Sequence, residues 1–137
     1  MNPHSLLIID DNEDDVLLFR RAASRAGLTN PIVWMADARE ALDKLIAAPE
    51  FRRVLIVLDL NMPGLSGVEF LRLLRASEGV AHIPVVVLTG SDAQRDIDSC
   101  YAAGASSFIR KPLTLDRLAA AVGQLRDYWF NLSFLPS

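Results

Sequence analysis

The sequence predicts an α/β domain built on a parallel sheet with helices on both faces. Strand-like and helix-like stretches alternate five times along 137 residues, two of the strand-like runs are continuous Val/Ile/Leu, and no linker or low-complexity segment divides them. Alternation implies crossover connections between parallel strands. Unbroken aliphatic runs imply strands buried on both faces. A chain of this length forms one core of ordinary size.

The elements follow in order. Strand β1 is expected near residues 5–10, where Leu6-Leu7-Ile8-Ile9 leads into Asp10-Asp11. Helix α1 runs from an Asn12 cap to Gly27, with Asp14 and Asp15 favourable against its dipole. Val16, Phe19, Ala23 and Ala26 give it a core-facing stripe. Strand β2 lies near 31–35, with Trp34 as a packing residue, and Asp37 caps α2 over about 38–47. Strands β3 (54–59) and β4 (84–89) are the two aliphatic runs, and α3 occupies about 67–77 after a tight Pro63-Gly64 turn. Ser91-Asp92-Ala93-Gln94 has the form of a capping box opening α4, which Gly104 closes. Strand β5 is expected near 106–110, and α5 from Leu115 to Trp129 with Leu118, Val122, Leu125 and Trp129 on one stripe.

Composition narrows the function. A formal charge of -3 leaves no electrostatic footprint for nucleic acid. No apolar run approaches a membrane span, and Met1-Asn2-Pro3-His4-Ser5 lacks the layout of a signal peptide. The single cysteine, Cys100, suits a reducing cytoplasm and is expected to be a helix residue without chemistry. His4 and His82 have no partners at ligand spacing and are expected to be solvated.

Four strands end in residues able to hold a metal or a phosphoryl group: Asp10-Asp11, Asp59, Thr89 and Lys111. In an open parallel sheet those ends share one edge, where ligands bind. An isolated Asp-Asp pair is also explained as a solvated acidic turn that helps the next helix start. With Asp59 added, three carboxylates suit a hard divalent ion, Mg²⁺ first. Lys111 could form a plain ion pair with Asp59, or a cis Lys111–Pro112 bond could aim it into the site. Thr89 precedes Gly90, which leaves room for a group approaching the backbone. A hydroxyl, an ammonium and a metal around one carboxylate suit a transferred phosphoryl group.

At these residues the chain resembles the receiver domain of two-component response regulators. The motifs are Ile9-Asp10-Asp11-Asn12-Glu13, Leu58-Asp59-Leu60-Asn61-Met62-Pro63-Gly64, Val87-Leu88-Thr89-Gly90 and Arg110-Lys111-Pro112-Leu113, in the family's order and spacing. The resemblance implies a flavodoxin-like (βα)5 fold with strand order 2-1-3-4-5. It implies that Asp59 accepts a phosphoryl group from the phosphohistidine of a sensor histidine kinase. Asp11, Asp59 and the Asn61 backbone carbonyl would ligate Mg²⁺, with Asp10 acting through a metal-bound water. Thr89 and Lys111 would hold phosphoryl oxygens, and Asn61 and Ser91 would occupy positions that tune dephosphorylation. Phe108 would be the switch aromatic that follows Thr89, although plain core packing explains it equally well.

Two other functional classes also place an aspartate at a strand end or keep this fold. An aspartate-based phosphohydrolase needs a second aspartate as acid/base, and Asp59-Leu60-Asn61 supplies asparagine instead, so the chain is not expected to be an enzyme turning over external esters. A phosphorylation-independent scaffold leaves the intact acidic, Thr and Lys set without a purpose. The expected organisation is a receiver over 1–129 and a C-terminal apolar arm over 130–137, with no separate output domain, signalling by contact or by relay to a downstream phosphotransfer protein. Tyr128, Trp129, Phe130, Leu132 and Phe134 read either as residues folded onto their own helices or as a homodimer contact, and exposed aromatic patches favour the contact. Residues 11–21 and 128–133 resemble the stand-alone response regulators of bacterial and cyanobacterial phytochromes, implying a bacteriophytochrome kinase as partner.

Overall fold

Val54–Leu58 forms β3, the central strand of a five-stranded parallel sheet, and every residue in it is buried. The structure is a computed structural model that describes residues 4–136. The other strands are β1 (Ser5–Ile9), β2 (Ile32–Met35), β4 (Val85–Thr89) and β5 (Ser107–Arg110), in the order β2-β1-β3-β4-β5. Aliphatic β1, β3 and β4 occupy the middle, as their unbroken apolar runs require. The half-buried β2 and β5 lie at the edges.

Alternation along the strands assigns the two faces. Leu7, Ile9, Ile56, Leu58, Val85 and Val87 meet α2 (Ala38–Ala47), α3 (Gly67–Ala76) and α4 (Gln94–Ala102) in the larger core. Leu6, Ile8, Val57 and Leu88 meet α1 (Glu13–Ala26) and α5 (Leu115–Leu125) on the opposite face. Each fully buried Leu, Ile, Val or Phe contributes about 1.5–3 kcal/mol, so this two-sided burial is the main force holding the strand ends in line. Among the described residues, no helix is long and apolar enough to cross a membrane.

Local chemistry sets most boundaries as expected. Asn12 Oδ1 accepts from the Asp15 amide at 3.2 Å, and Gly27 ends α1 at φ 77° with its N–H on the Ala23 and Ser24 carbonyls. Asp37, Ser66 and Thr114 cap α2, α3 and α5 through their side chains.

Two elements differ from expectation. Helix α4 begins at Gln94 behind Ala93, with no side-chain cap. The Ser91 hydroxyl donates to Asp96 Oδ2 at 2.6 Å and accepts from the Ala93 amide, so it is spent on the loop. Gln94 is then the first helical residue and cannot fold back as a capping-box partner. The α-helical part of α5 stops at Leu125 and continues as a π-helical segment, Arg126–Leu132. The Ser133 amide donates to the Tyr128 carbonyl, five residues back. Trp129 still packs half-buried with Leu125 against Leu55 and Val86, on the expected stripe, and Phe130 reaches both that cluster and the α1/α5 face. His4 is not simply solvated: Nε2 lies 2.9 Å from the Pro136 carbonyl oxygen, and its own carbonyl accepts from Asn30. His82 is exposed.

Gly67 is required by close approach. A Cβ there would lie 2.9 Å from the Asp59 carbonyl oxygen and from Leu60 Cα, both backbone atoms of the loop after β3. Gly67→Ala is expected to cost about 1–3 kcal/mol through overpacking. Gly90→Ala, where a Cβ meets nothing within 4 Å, should be close to neutral. Denaturant titration of the two variants checks the contrast.

Candidate functional site

Strand register places the acidic residues side by side. Ile9 pairs with both Leu58 and Met35, so Asp10 and Asp59 are the first residues beyond adjacent strands. The Asp59 amide donates to the Ile9 carbonyl at 3.0 Å, and the Asp10 amide to the Met35 carbonyl at 3.2 Å. Asp10 is fixed on three further sides. Its carbonyl accepts from Trp34 Nε1 at 2.7 Å, Oδ1 accepts from the Asn12 amide at 2.9 Å, and Oδ2 accepts from Lys111 Nζ at 2.9 Å. Only 4% of Asp10 is exposed, so these bonds replace most of its hydration.

Asp10, Asp11 and Asp59 each offer a carboxylate oxygen, and the three atoms lie within 4.8 Å of one another. An all-oxygen set of this kind fits a hard cation such as Mg²⁺. Asn61 is exposed two residues beyond Asp59. Thr89 ends β4 fully buried, and its Oγ1 has no hydrogen-bond partner. Such an orphan costs about 1–3 kcal/mol in the state that leaves it unpaired. A Cβ at Gly90 would meet nothing within 4 Å, so the backbone there does not need glycine for room.

Lys111 reaches the site from the end of β5. All peptide bonds are trans among the described residues, so no cis Lys111–Pro112 bond aims it. Its amide donates to the Thr89 carbonyl at 2.6 Å, which fixes its backbone, and its long side chain does the rest. Lys111 Nζ stands 2.8 Å from Asp15 Oδ2 and 2.9 Å from Asp10 Oδ2, but 3.9 Å from Asp59 Oδ1. Direct pairing with Asp59 is therefore the weakest of its contacts.

Charge and burial compete at Asp59, whose side chain is 11% exposed. Burial pushes its carboxyl above the ordinary 3.8; Lys111 opposes this, Asp10 reinforces it, and the Leu60 amide opposes it. The Thr89 hydroxyl favours the ionised carboxylate slightly, but its separation meets no hydrogen-bond geometry. For Lys111, burial acts downward and is outweighed by Asp15, Asp10 and Asp59, so its ammonium is held above the ordinary 10.5.

Asp15 and Trp34 belong to the site and were not identified from sequence. Asp15 was visible only as a helix-dipole residue, and its facing Lys111 depends on a contact 96 residues long. Trp34 carried no signal beyond an aromatic in an edge strand. Phe108 is half-buried against the larger core, and its amide donates to the Tyr101 hydroxyl at 3.1 Å. Cys100 is buried, and burial together with Asp96 raises its thiol, which suits packing rather than reactivity. Of the aromatic segment, Trp129 and Phe130 pack on their own chain, whereas Tyr128, Leu132 and Phe134 are exposed at 53%, 72% and 100%.

The response regulator receiver domain matches residues 6–123. The chain belongs to this family. The probable methanogenesis regulatory protein FilR2 of Methanothrix harundinacea (strain 6Ac) is 34% identical, across 98% of this chain and 89% of its own length. Response regulator RPA3017, in red light signaling of R. palustris, superimposes with a TM-score of 0.88 at 28% identity, covering 98% of this chain and 99% of its own. The phosphorylated cyanobacterial phytochrome response regulator RcpA gives 0.86 at 28% identity, covering 98% and 99%. The fold is thus the flavodoxin-like receiver fold, and the family is regulatory, acting in two-component signalling with sensor histidine kinases.

The receiver's stability should carry the mark of Asp59. A carboxyl raised in the fold contributes stability that is present below its unfolded value of 3.8 and lost as pH climbs through the raised one. In chelator at pH 7, Asp59→Asn is therefore expected to raise the thermal midpoint by a few degrees. Adding Mg²⁺ should stabilise the unsubstituted protein more than the variant. Calorimetry from pH 3 to 8 with and without Mg²⁺ tests the sign.

Proposed function

We propose that this receiver takes a phosphoryl group onto Asp59 from a histidine kinase and signals through the resulting change around Thr89 and Lys111. The observation that carries the reading is one carboxylate set among two others, a buried hydroxyl without a partner and an ammonium within 3.9 Å. Asp11, Asp59 and the Asn61 backbone carbonyl would hold Mg²⁺, with Asp10 beside them. When bound, Mg²⁺ would offset the charge of the carboxylates and of the incoming phosphoryl oxygens.

The chain's own residues do the remainder. An Asp59 carboxylate oxygen attacks phosphorus as the phosphorus–nitrogen bond to the kinase imidazole breaks, and the bonding electrons leave on that nitrogen, which then takes a proton. The Thr89 hydroxyl donates to one phosphoryl oxygen and so gains the partner it lacks. Lys111 donates to another. Stabilising that charge is most of what phosphoryl transfer demands of a protein. Movement of Thr89 frees space beside Phe108, whose paired residue Val87 lies two positions before Thr89 on β4. Phe108 is then the side chain that carries the change to the β5 surface.

A phytochrome kinase is the partner class we favour. RPA3017 and RcpA match along nearly their whole lengths. The exposed Tyr128, Leu132 and Phe134 would meet a second copy, making residues 130–137 a dimer arm beside a receiver of residues 1–129. With the conformational change as its output, the receiver acts by contact or by passing phosphate on.

A small phosphodonor with Mg²⁺ should label the protein once, and Asp59→Asn should abolish labelling; repeated turnover of the donor would favour a phosphohydrolase, and no labelling a scaffold. Lys111→Ala should keep metal binding but lose the change at Phe108, seen by NMR. Removing residues 130–137 should yield a monomer by light scattering, and an unchanged dimer would exclude the arm.

A further inference from the structure

We propose that Asp15 is a positioning residue that withholds Lys111 from Asp59 until a phosphoryl group arrives; the proposal rests on phosphorylation at Asp59. The ammonium bonds the buried Asp10, its side chain 6% exposed, at 2.9 Å, and burial alone would give its second bond to Asp59. The Asp59 side chain is 11% exposed and Asp15 42%, so Asp59 needs a counter-charge more. The geometry runs the other way, with Lys111 Nζ 2.8 Å from Asp15 and 3.9 Å from Asp59. Asp15 competes because α1 carries it there: its amide, bound to Asn12 Oδ1 in the first turn, sets its backbone within side-chain reach of Lys111. It also stands outside the three-carboxylate cluster, which comprises Asp10, Asp11 and Asp59.

Asp10 and Asp15 therefore have different fates on activation. Asp10 belongs to the cluster and can turn its charge to a cation there, whereas Asp15 keeps its grip on Lys111. A phosphoryl group on Asp59 must outcompete Asp15 for the ammonium. It brings about two negative charges against the single charge of Asp15, so it wins, while an unmodified Asp59 does not. Asp15 in this way sets a threshold: it lowers the receiver's affinity for a phosphoryl group without touching it.

The test uses beryllium fluoride as a phosphoryl mimic, with the full chain in saturating Mg²⁺. Binding is followed by the ¹⁵N–¹H resonance of the Trp34 indole, which donates to the Asp10 carbonyl. Asp15→Asn and Asp15→Ala should bind the mimic roughly tenfold tighter, the size expected for removing one competing charge-assisted hydrogen bond. Asp15→Glu should restore the original affinity, and Asp15→Asn in a Lys111→Met background should change nothing. Unchanged or weaker binding in Asp15→Asn and Asp15→Ala overturns the proposal, as does a gain that persists without Lys111. If the unsubstituted protein neither binds the mimic nor labels at Asp59, the receiver reading fails and takes this one with it. Normal labelling beside an unaffected Asp15→Asn sinks the role of Asp15 alone.

Discussion

Asp10, Asp11 and Asp59 bring carboxylate oxygens within 4.8 Å of one another, and a fold tolerates that only where positive charge offsets it. In the protein alone that charge is Lys111, held by Asp10 and Asp15. Two unit charges about 4 Å apart interact by about 4 kcal/mol at an effective dielectric of about 20. A neutral hydrogen bond contributes only about 1 kcal/mol. Charge, more than hydrogen bonding, therefore decides where the lysine rests and how readily it can leave. An edge balanced in this way responds to added charge, whether a divalent ion or a phosphoryl group, and response is what a signalling receiver needs.

The sheet makes that edge possible by separating stability from chemistry. Burial on both faces of β1, β3 and β4 fixes the strands without using any residue of the site. The candidate site residues occur where the strands stop, and their backbones are tied across neighbouring strands, Asp59 to Ile9 and Lys111 to Thr89. Thr89 can consequently keep a buried hydroxyl without a partner, because the surrounding aliphatic core offsets the cost. The unsatisfied atom and the crowded carboxylates are local departures from stability, and both lie at the carboxyl edge of the sheet.

Much of this was legible in the residues. Asn12, Gly27 and Asp37 announce helix ends because capping is a local hydrogen bond that needs no distant partner. Asp10, Asp11, Asp59, Thr89 and Lys111 were recognisable because each terminates an apolar run, and a parallel sheet sends all such ends to one edge. Ser91 misled, because its hydroxyl donates to Asp96 and accepts from the Ala93 amide ahead of the helix, instead of accepting from a helix amide as a capping box requires. The end of α5 misled in another way. The stripe assumed 3.6 residues per turn, and the helix widens after Leu125.

By itself the sequence determined the five alternations, the strands buried on both faces and the set of residues at the carboxyl edge, since these follow from periodicity, caps and chain order. Tertiary structure decided which of the carboxylates the lysine holds. Asp15 lies in the same acidic run as Glu13 and Asp14 and looks no different from them along the chain. Only the packing of α1 beside the end of β5 places its oxygen 2.8 Å from Lys111. Contacts between residues far apart in sequence depend on distances of a few ångströms, and local preferences do not encode those.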